Sequence, residues 1–239
     1  MITDNLSDLE LWMVVTGIFL LRYLLIAGLF YLFFYVWKKE QCSPFKLQSK
    51  WSNSIQIKRE IKYSLLTFFI YSLGVWLFLY WIRHDMTKIY FDIDENGLPY
   101  FVISIILMVL LHDTYFYWTH RLIHHPLFFR YVHKMHHTFD SPTPWAAFAF
   151  HPIEAIISIG IIPIILFVIP FHHLALIVFI TFLVIYNAYI HLGFSVPLLK
   201  WSGLQNTPND HDLHHKGTKG NYGLYFTYWD KLMGTYKLE

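Results

Sequence analysis

The stretch that decides the fold is LPYFVISIILMVLLHDTYFYWTHRLIHHPLFFRYVHKMHH, residues 98–137. Its first half, residues 98–118, is apolar and long enough for a membrane-spanning helix, which needs about 20 mostly apolar residues. Its second half, residues 120–137, contains six histidines. A membrane span therefore runs directly into a histidine-rich segment. This pattern predicts a membrane protein with a metal site at the end of a span.

The rest of the chain is also rich in apolar residues. Hydrophobic residues make up 56% of the 239 residues and charged residues only 14%, whereas a soluble domain carries about 25% charged residues. Three further segments are long and apolar enough to enter a membrane: residues 11–37, 61–82 and 153–190. The last has the length of two spans. We expect it to form a hairpin that breaks near Pro163, Pro170 and the pair His172 and His173.

The loops between these segments differ in charge. The loop after the first segment is basic, with Lys38, Lys39, Lys46, Lys50, Lys58 and Arg59. The loop at residues 83–100 contains Asp85, Asp92, Asp94 and Glu95. Because cytoplasmic loops of membrane proteins carry an excess of Lys and Arg, we expect the basic loop, residues 119–152 and residues 191–239 to share the cytoplasmic face.

The histidines form four groups along the chain: His120 with His124, then His133 with His136 and His137, then His191, and last His211 with His214 and His215. Residues at i, i+3 and i+4 share one face of a helix. Each HxxHH motif is therefore expected to point three imidazoles in one direction. Neutral imidazole is a good ligand for iron, zinc and copper. One metal takes four to six ligands, so these nine histidines predict two metals.

These features predict an all-α integral membrane protein with four to five membrane-embedded helices and a cytoplasmic helical cap that holds a histidine-rich two-metal site. The net charge of +2, without a basic tract, argues against a nucleic-acid partner. The single cysteine, Cys42, excludes an internal disulfide, a cysteine-based zinc site and an iron–sulfur cluster.

Several polar residues are candidates for supporting the ligands. Histidines that bind a metal usually donate their other N–H to a carboxylate or a carbonyl. Asp113 precedes His120 by seven residues and shares its helix face, so we expect it in this role; Asp212 and Asp230 are weaker candidates. His151 and Glu154, at the start of the hairpin, are expected either to support the site or substrate, or to cap a helix.

Aromatic residues flank the histidine segments. Tyr115, Trp118, Trp145, Phe148 and Phe150 fit the wall of a lipid tunnel and, equally, an aromatic belt at the membrane interface. His84, His172 and His173 are expected on the opposite side of the membrane from the clustered histidines, away from the site.

The order HxxxH, HxxHH, HxxHH, with membrane spans between the second and last boxes, resembles the sterol desaturase and fatty acid hydroxylase superfamily. Residues 142–154 and residues 221–230, continuing to Gly234, are similar to sterol C5-desaturases, also called lathosterol oxidases. The resemblance covers roughly residues 110–239. The apolar segments predict transmembrane helices in residues 1–110, and the resemblance implies a catalytic domain of this type in residues 111–239 that includes a membrane hairpin at residues 153–190.

The resemblance further implies a site with two iron ions, dioxygen as the oxidant and electrons from an external donor of the cytochrome b5 or ferredoxin type. Zinc readily replaces iron at imidazole sites in purified protein. The implied ligands are His120, His124, His133, His136, His137, His191, His211, His214 and His215. Some relatives have one more histidine, four residues before the one that matches His191. Here that residue is Asn187, either a weak or water-mediated ligand or a missing one.

The sequence does not select one substrate or one reaction. Sterol, fatty acyl, alkylglycerol and carotenoid substrates all fit a membrane di-iron oxidoreductase, and so do both desaturation and hydroxylation. The location is either a bacterial inner membrane or the endoplasmic reticulum, with the site on the cytoplasmic face. A membrane transporter or sensor for a metal is an alternative of another class. Transport requires ligands within the spans, however, and these histidines flank them.

Overall fold

The computed structural model describes residues 6–238 and is mostly helical there. The helices of this range are α1 (Asp8–Tyr31), α2 (Lys39–Cys42), α3 (Ser54–Arg83), α4 (Gly97–Ile123), α5 (Pro126–Val132), α6 (Pro152–Ile159), α7 (Ile161–Val168), α8 (His173–Ile190), α9 (Pro208–Gly217) and α10 (Tyr228–Leu232). α1 continues into a π-helical turn, Leu32–Trp37. Two short strands, β1 (Ile89–Tyr90) and β2 (Phe171–His172), pair in parallel.

Four helical segments of the described chain are long and apolar enough to cross a membrane: Asp8–Trp37, Ser54–Arg83, Gly97–Ile123 and His173–Ile190. Their outward faces carry large apolar side chains such as Leu29 and Phe69, which are 62% and 61% exposed. Exposed apolar residues of this density favour contact with lipid over contact with water. The prediction of an all-α integral membrane protein with four to five membrane-embedded helices is confirmed.

The hairpin differs in detail from its prediction. Pro163 does not break it, because this residue lies in the first turn of α7, where its missing N–H has no partner to lose. One interruption occurs at Gly160, between α6 and α7, which are eight residues each. The other occurs after α7, at residues 169–172, as Pro170 and His172 predict. The first arm is therefore two short helices, and the second arm is α8.

The two ends of the bundle collect different loops. The pairing of β1 with β2 holds the acidic loop 83–100 against the turn of the hairpin. At the other end, the backbones of Lys46 and Phe194 form an isolated antiparallel β-bridge, and the N–H of Leu47 donates to the carbonyl of Gly193 at 3.0 Å. The basic segment after α1 therefore lies beside the segment after α8, at the end that carries the clustered histidines.

A 3-10 helix, Pro144–Phe148, is inserted between the spans and helps to position the site. The hydroxyl groups of Tyr23 and Ser64 both donate to the carbonyl of Trp145 at 2.8 Å. Phe148, only 2% exposed, packs in the main core with Tyr23. Trp145 and Phe148 are therefore packing residues of the bundle, and Trp118 is 43% exposed on the outside of α4.

Candidate metal centre

Nine histidines from four places in the chain converge at one end of the bundle. His120 lies in the last turn of α4 and His124 at its C-cap, while His191 lies at the C-cap of α8. The others come from the turn after α5 and from α9. Eight of them form two groups whose ligand atoms all lie within 4.8 Å of one another: group A is His120, His124, His133 and His214, and group B is His136, His191, His211 and His215.

Each HxxHH motif supplies both groups, contrary to the expectation that it points three imidazoles in one direction. From α9, His214 enters group A, whereas His211 and His215 enter group B. From the other motif, His133 enters group A and His136 enters group B. The local reason for this second split is that residues 133–137 are not one α-helix: α5 ends at Val132, and a 3-10 turn begins at His136.

Each group contains Nε2 atoms that approach one another to about 3 Å. In group A, the Nε2 atoms of His120 and His133 lie 3.1 Å apart. In group B, Nε2 of His191 lies 3.2 Å from Nε2 of His136 and 3.0 Å from Nε2 of His211. Nitrogen ligands that bind one metal at about 2 Å lie about 3 Å from one another, and these Nε2 pairs have that spacing.

His137 lies between the two groups. Its Nε2 atom is 3.2 Å from Nε2 of His124 in group A. Its ring centroid is 4.7 Å from that of His215 in group B and 4.9 Å from that of His214 in group A. The ninth predicted ligand is therefore placed where it contacts both groups.

The rings are oriented through their other nitrogen. The Nδ1 atoms of His120, His191 and His214 donate to the backbone carbonyls of Tyr222, Asn187 and Gly220 at 2.9, 2.8 and 2.8 Å. His136 donates in the same way to the carbonyl of Ala149 at 3.3 Å, and His133 to Oε1 of Glu154 at 2.7 Å. These hydrogen bonds fix the tautomer in which Nε2 faces the centre of the group.

The loop at residues 220–226 supplies two of these carbonyls, and its shape depends on Gly220. This residue has a φ of +94°, and a Cβ atom there would meet the carbonyl oxygen of Thr235 at 2.3 Å. A side chain at this position would displace the carbonyl that receives His214.

Burial keeps the imidazoles neutral. Burial, together with repulsion from neighbouring rings, lowers the pKa of His133, His136, His211, His214 and His215 well below the usual value. Burial lowers the pKa of His137 and His191 to about 4. At neutral pH these side chains therefore offer unprotonated nitrogen atoms, which is the form that binds metal.

The donor set fits two metal ions. Nε2 of His214 is buried and has no hydrogen-bond partner among the described residues, although its Nδ1 is bonded. A buried nitrogen without a partner costs free energy unless another group, such as a metal, occupies its lone pair. All-nitrogen groups of four suit iron, zinc or copper and do not suit magnesium or calcium.

Asp113 has different partners from those expected. Its Oδ1 accepts the N–H groups of Tyr225 and Phe226 at 2.8 and 3.2 Å. It does not reach His120 because seven residues of helix separate the two by about 10 Å. Asp230 acts similarly, since its two oxygens accept the N–H groups of Tyr222 and Gly223 at 2.9 and 2.7 Å. Both carboxylates hold the loop whose carbonyls receive the histidines.

The carboxylate that does accept a hydrogen bond from a clustered histidine is Glu154 of α6, whose partner is His133. Glu154 is 5% exposed. The signal for Glu154 in the sequence is a carboxylate two residues after a proline that starts a helix beside the histidine boxes, and this signal does not indicate the partner of the carboxylate. Asp212, the other weak candidate, contacts Gln48 and forms an ion pair with Lys216 at 2.8 Å.

His151 caps a helix. Its Nδ1 accepts the N–H of Ile153 at 3.3 Å, at the start of α6. His125 and His172 do the same for α5 and α8. The backbone carbonyl of Asn187 accepts the Nδ1–H of His191, so Asn187 contacts a candidate ligand through its main chain.

A small cavity of about 30 Å³ adjoins group A. Its wall on the α4 side includes Tyr115, Thr119 and His120, and its wall on the α6 side includes Phe150, Glu154 and Ser158. Two of the five aromatic candidates, Tyr115 and Phe150, therefore face this space. A larger cavity of about 460 Å³ lies at the opposite end of the bundle, between residues 82 and 95, away from the histidines.

Comparison with known proteins identifies the family of the chain. Residues 105–235 match the family model for fatty acid hydroxylases, which is more than half of the chain, and the protein therefore belongs to this family. It is 36% identical over 183 residues to a Delta(7)-sterol 5(6)-desaturase of Gibberella zeae, covering 76% of this chain and 56% of the relative. It is 36% identical over 186 residues to human lathosterol oxidase, covering 76% and 62%.

A third relative, a Delta(7)-sterol 5(6)-desaturase of Aspergillus fumigatus, is 33% identical over 204 residues, covering 76% of this chain and 63% of the relative. The alignments thus span between 56% and 63% of these relatives. No solved structure matches the chain significantly.

Proposed function

We propose that the protein is a di-iron enzyme that uses dioxygen to desaturate a membrane sterol, in the manner of a sterol C5-desaturase. The observation that carries the proposal is the pair of histidine groups, each with four ligand atoms within 4.8 Å. The names of the relatives, which are sterol 5(6)-desaturases and lathosterol oxidase, support the substrate class. Two irons held by groups A and B would supply the oxidising power to break an unactivated C–H bond.

Groups of the protein itself perform three tasks in this proposal. The backbone carbonyls and Glu154 hold the rings in the metal-binding tautomer. Burial keeps the imidazoles neutral and excludes water, which protects a strongly oxidising centre from side reactions. The neutral ligands leave the cationic charge of the metals uncompensated, and this favours oxidation.

The position of the site suits a lipid. Group A begins in the last turn of α4, so the metals would lie where a spanning helix leaves the bilayer. Ile153 and Ile156 on α6, close to the small cavity, are 47% and 61% exposed. A sterol could therefore approach the cavity along an apolar surface without leaving the membrane.

The charge of the surface around the site supports a cytoplasmic orientation and an external electron donor. Exposed basic residues surround the histidine end of the bundle: Lys58, Arg59, Lys62, Arg130, Lys134, Lys216 and Lys219. An excess of basic residues is typical of the cytoplasmic side. It also favours docking of a donor with an acidic surface, as electrostatic attraction accelerates association. We propose a small cytochrome b5 or ferredoxin type of donor.

The test is conversion of a sterol in membranes that contain the full chain, supplied with iron, dioxygen and a reductase–donor system. A Delta(7)-sterol is added and the products are analysed by mass spectrometry. The proposal expects a product two hydrogens lighter. No conversion of any sterol by protein that contains its metals would contradict it.

Hydroxylation of a fatty acyl lipid is the second candidate, favoured by the description of the matching family. It requires the same metals and ends with an oxygen atom in the product instead of a double bond. The same experiment with a membrane acyl lipid distinguishes the two, because a hydroxylated product is heavier by one oxygen.

A further inference from the structure

One carboxylate oxygen next to the histidines has no partner in the described structure. Oε1 of Glu154 accepts the N–H of His133 at 2.7 Å. Oε2 of the same carboxylate is buried and makes no hydrogen bond. Because Oε1 is tied to His133, the carboxylate cannot turn away to bring Oε2 to another group. A buried carboxylate oxygen without a donor is costly, which makes Oε2 a candidate acceptor for a group that the protein binds.

Glu154 lines the small cavity, together with His120 of group A. The other polar side chains of that wall have hydrogen-bond partners, and His112 is paired through Nδ1 with the Tyr225 hydroxyl at 2.9 Å. Tyr115 donates its hydroxyl to the carbonyl of Ile157 at 2.5 Å, and the Thr119 hydroxyl donates to the carbonyl of Tyr115 at 2.8 Å. The hydroxyl groups of Ser158 and Tyr71 lie 2.6 Å apart. Among the described residues that line the cavity, Oε2 of Glu154 is therefore the buried side-chain oxygen or nitrogen that has no hydrogen-bond partner, and a carboxylate oxygen accepts an O–H donor.

We propose that Oε2 of Glu154 binds the hydroxyl group of the sterol. This inference rests on the proposed function. The relatives are named for desaturation between carbons 5 and 6. In a sterol the hydroxyl is on carbon 3, and a single carbon separates carbons 3 and 5. When carbon 5 is beside the metals, the hydroxyl must therefore also be close to them, and Glu154 adjoins the ligands of group A.

The size of the cavity matches the hydroxyl and not the rings. A volume of about 30 Å³ holds one or two water-sized groups. The sterol rings must enter by displacing α6 from α4. This helix is eight residues long and is followed by Gly160, so it is the short, interrupted part of the bundle. The Tyr115 hydroxyl, which donates to Ile157 near the end of α6, is one contact that such a movement must break.

Binding to the full-length protein in lipid nanodiscs tests the proposal without relying on turnover. The probes are a 3-hydroxysterol and the matching 3-ketone, which keeps the rings and the oxygen but has no O–H to donate. The wild-type protein should bind the hydroxysterol about tenfold more tightly, as expected for one hydrogen bond to a carboxylate. Equal affinity for the two ligands would overturn the proposal whatever any variant does.

Glu154→Gln is the informative variant. Its amide oxygen can still accept from His133, so metal content should stay at the wild-type value. Its amide N–H₂ then faces the cavity as a donor, and the preference for the hydroxysterol should disappear or reverse in favour of the ketone. A variant that keeps both its metals and the wild-type preference would overturn the proposal.

Ser158→Ala is the matched control. Its hydroxyl is already paired with Tyr71, so its loss should change the affinity for both ligands by the same factor and leave their ratio unchanged. If instead Glu154→Gln slows conversion of both sterols equally while the wild type binds them equally, the donor is a water molecule and the sterol assignment is wrong. Failure of the proposed function is a separate result, since it appears as absence of conversion and not as a changed binding ratio.

Discussion

The Nε2 atoms of His120 and His133 lie 3.1 Å apart, although one side chain comes from the end of a membrane-spanning helix and the other from an irregular turn. The same approach of distant segments occurs in group B, where His136 and His191 are separated by 55 residues. Each group therefore combines histidines from three segments of the chain, and α9 contributes to both groups.

This division predicts which metal each histidine holds. His214→Ala removes a ligand of group A, and His136→Ala removes a ligand of group B. Each variant should lose about one of two metals and lose sterol conversion, because a group of three imidazoles binds metal less tightly than a group of four. Metal content per chain and conversion are measured on the same membranes.

His84→Ala is the control for loss of a histidine, since this exposed residue lies after α3 at the opposite end of the bundle. It should keep both metals and full conversion. Full metal content in His136→Ala and His214→Ala would show that these groups are not the ligands.

Asp113 is predicted to act on the loop and only indirectly on the metals. Asp113→Asn keeps an oxygen that can accept from Tyr225 and Phe226, so metal content should remain and conversion should fall modestly. Asp113→Ala leaves two buried N–H groups unpaired, and it should destabilise the fold by about 1–3 kcal/mol. Thermal unfolding and conversion of the two variants are compared. Equal loss of metal in both would indicate a direct role at the site.

The buried histidines predict a dependence of stability on pH. Burial lowers the pKa of His137 and His191 to about 4, whereas an unfolded histidine titrates near 6.5. Between these values the unfolded chain binds more protons, so the free energy of unfolding decreases as the pH falls. Metal-free protein should be most stable above about pH 6.5 and lose roughly 3 kcal/mol per fully buried histidine by pH 4.

Thermal midpoints of chelator-treated protein between pH 7 and pH 4 measure this effect. The same series with metal bound should show release of metal over the lower part of the range, as protons compete for the nitrogen atoms. A midpoint that rises on acidification would contradict the assignment of neutral, buried imidazoles.

The topology predicts opposite accessibility for two exposed positions. Asn96 precedes α4 at the acidic end, and Lys219 follows α9 at the histidine end. In a background without Cys42, a cysteine at position 96 should be labelled from outside the cell or from the lumen by a membrane-impermeant reagent. A cysteine at position 219 should be labelled only after the membrane is opened. Labelling of both from one side would refute the arrangement.

The sequence was sufficient to predict the membrane-spanning helices because a long run of apolar residues has one stable location, inside the bilayer. It was also sufficient to select nine histidines that the fold brings together, since two HxxHH boxes at span ends are a dense and unusual pattern. It could not show how each box divides between the two groups. That division depends on the turn after Val132, where a 3-10 segment replaces the helix that the spacing favours.

The sequence also could not predict which groups form hydrogen bonds with the clustered histidines. Asp113 shares a helix face with His120, but its distance along α4 leads it to the loop at Tyr225 instead. Glu154 reaches His133 through the packing of α6 against α5 and α4, which no local pattern encodes. His151 was a candidate for the site by residue type, and its position directly before Pro152 makes it a cap. For Asp113 and Glu154 a tertiary contact decided between chemically equal roles, whereas His151 makes a local contact two residues along the chain.

The count of metals per chain tests the central claim most directly. Full-length protein is produced with iron supplied, purified in detergent or nanodiscs, and analysed for iron and zinc together against protein concentration by amino-acid analysis. Two histidine groups, joined at His137, predict close to two metal ions per chain, with iron and zinc summed. A firm value of one, or of none in folded protein, would contradict the two-metal site on which the proposed oxidation depends.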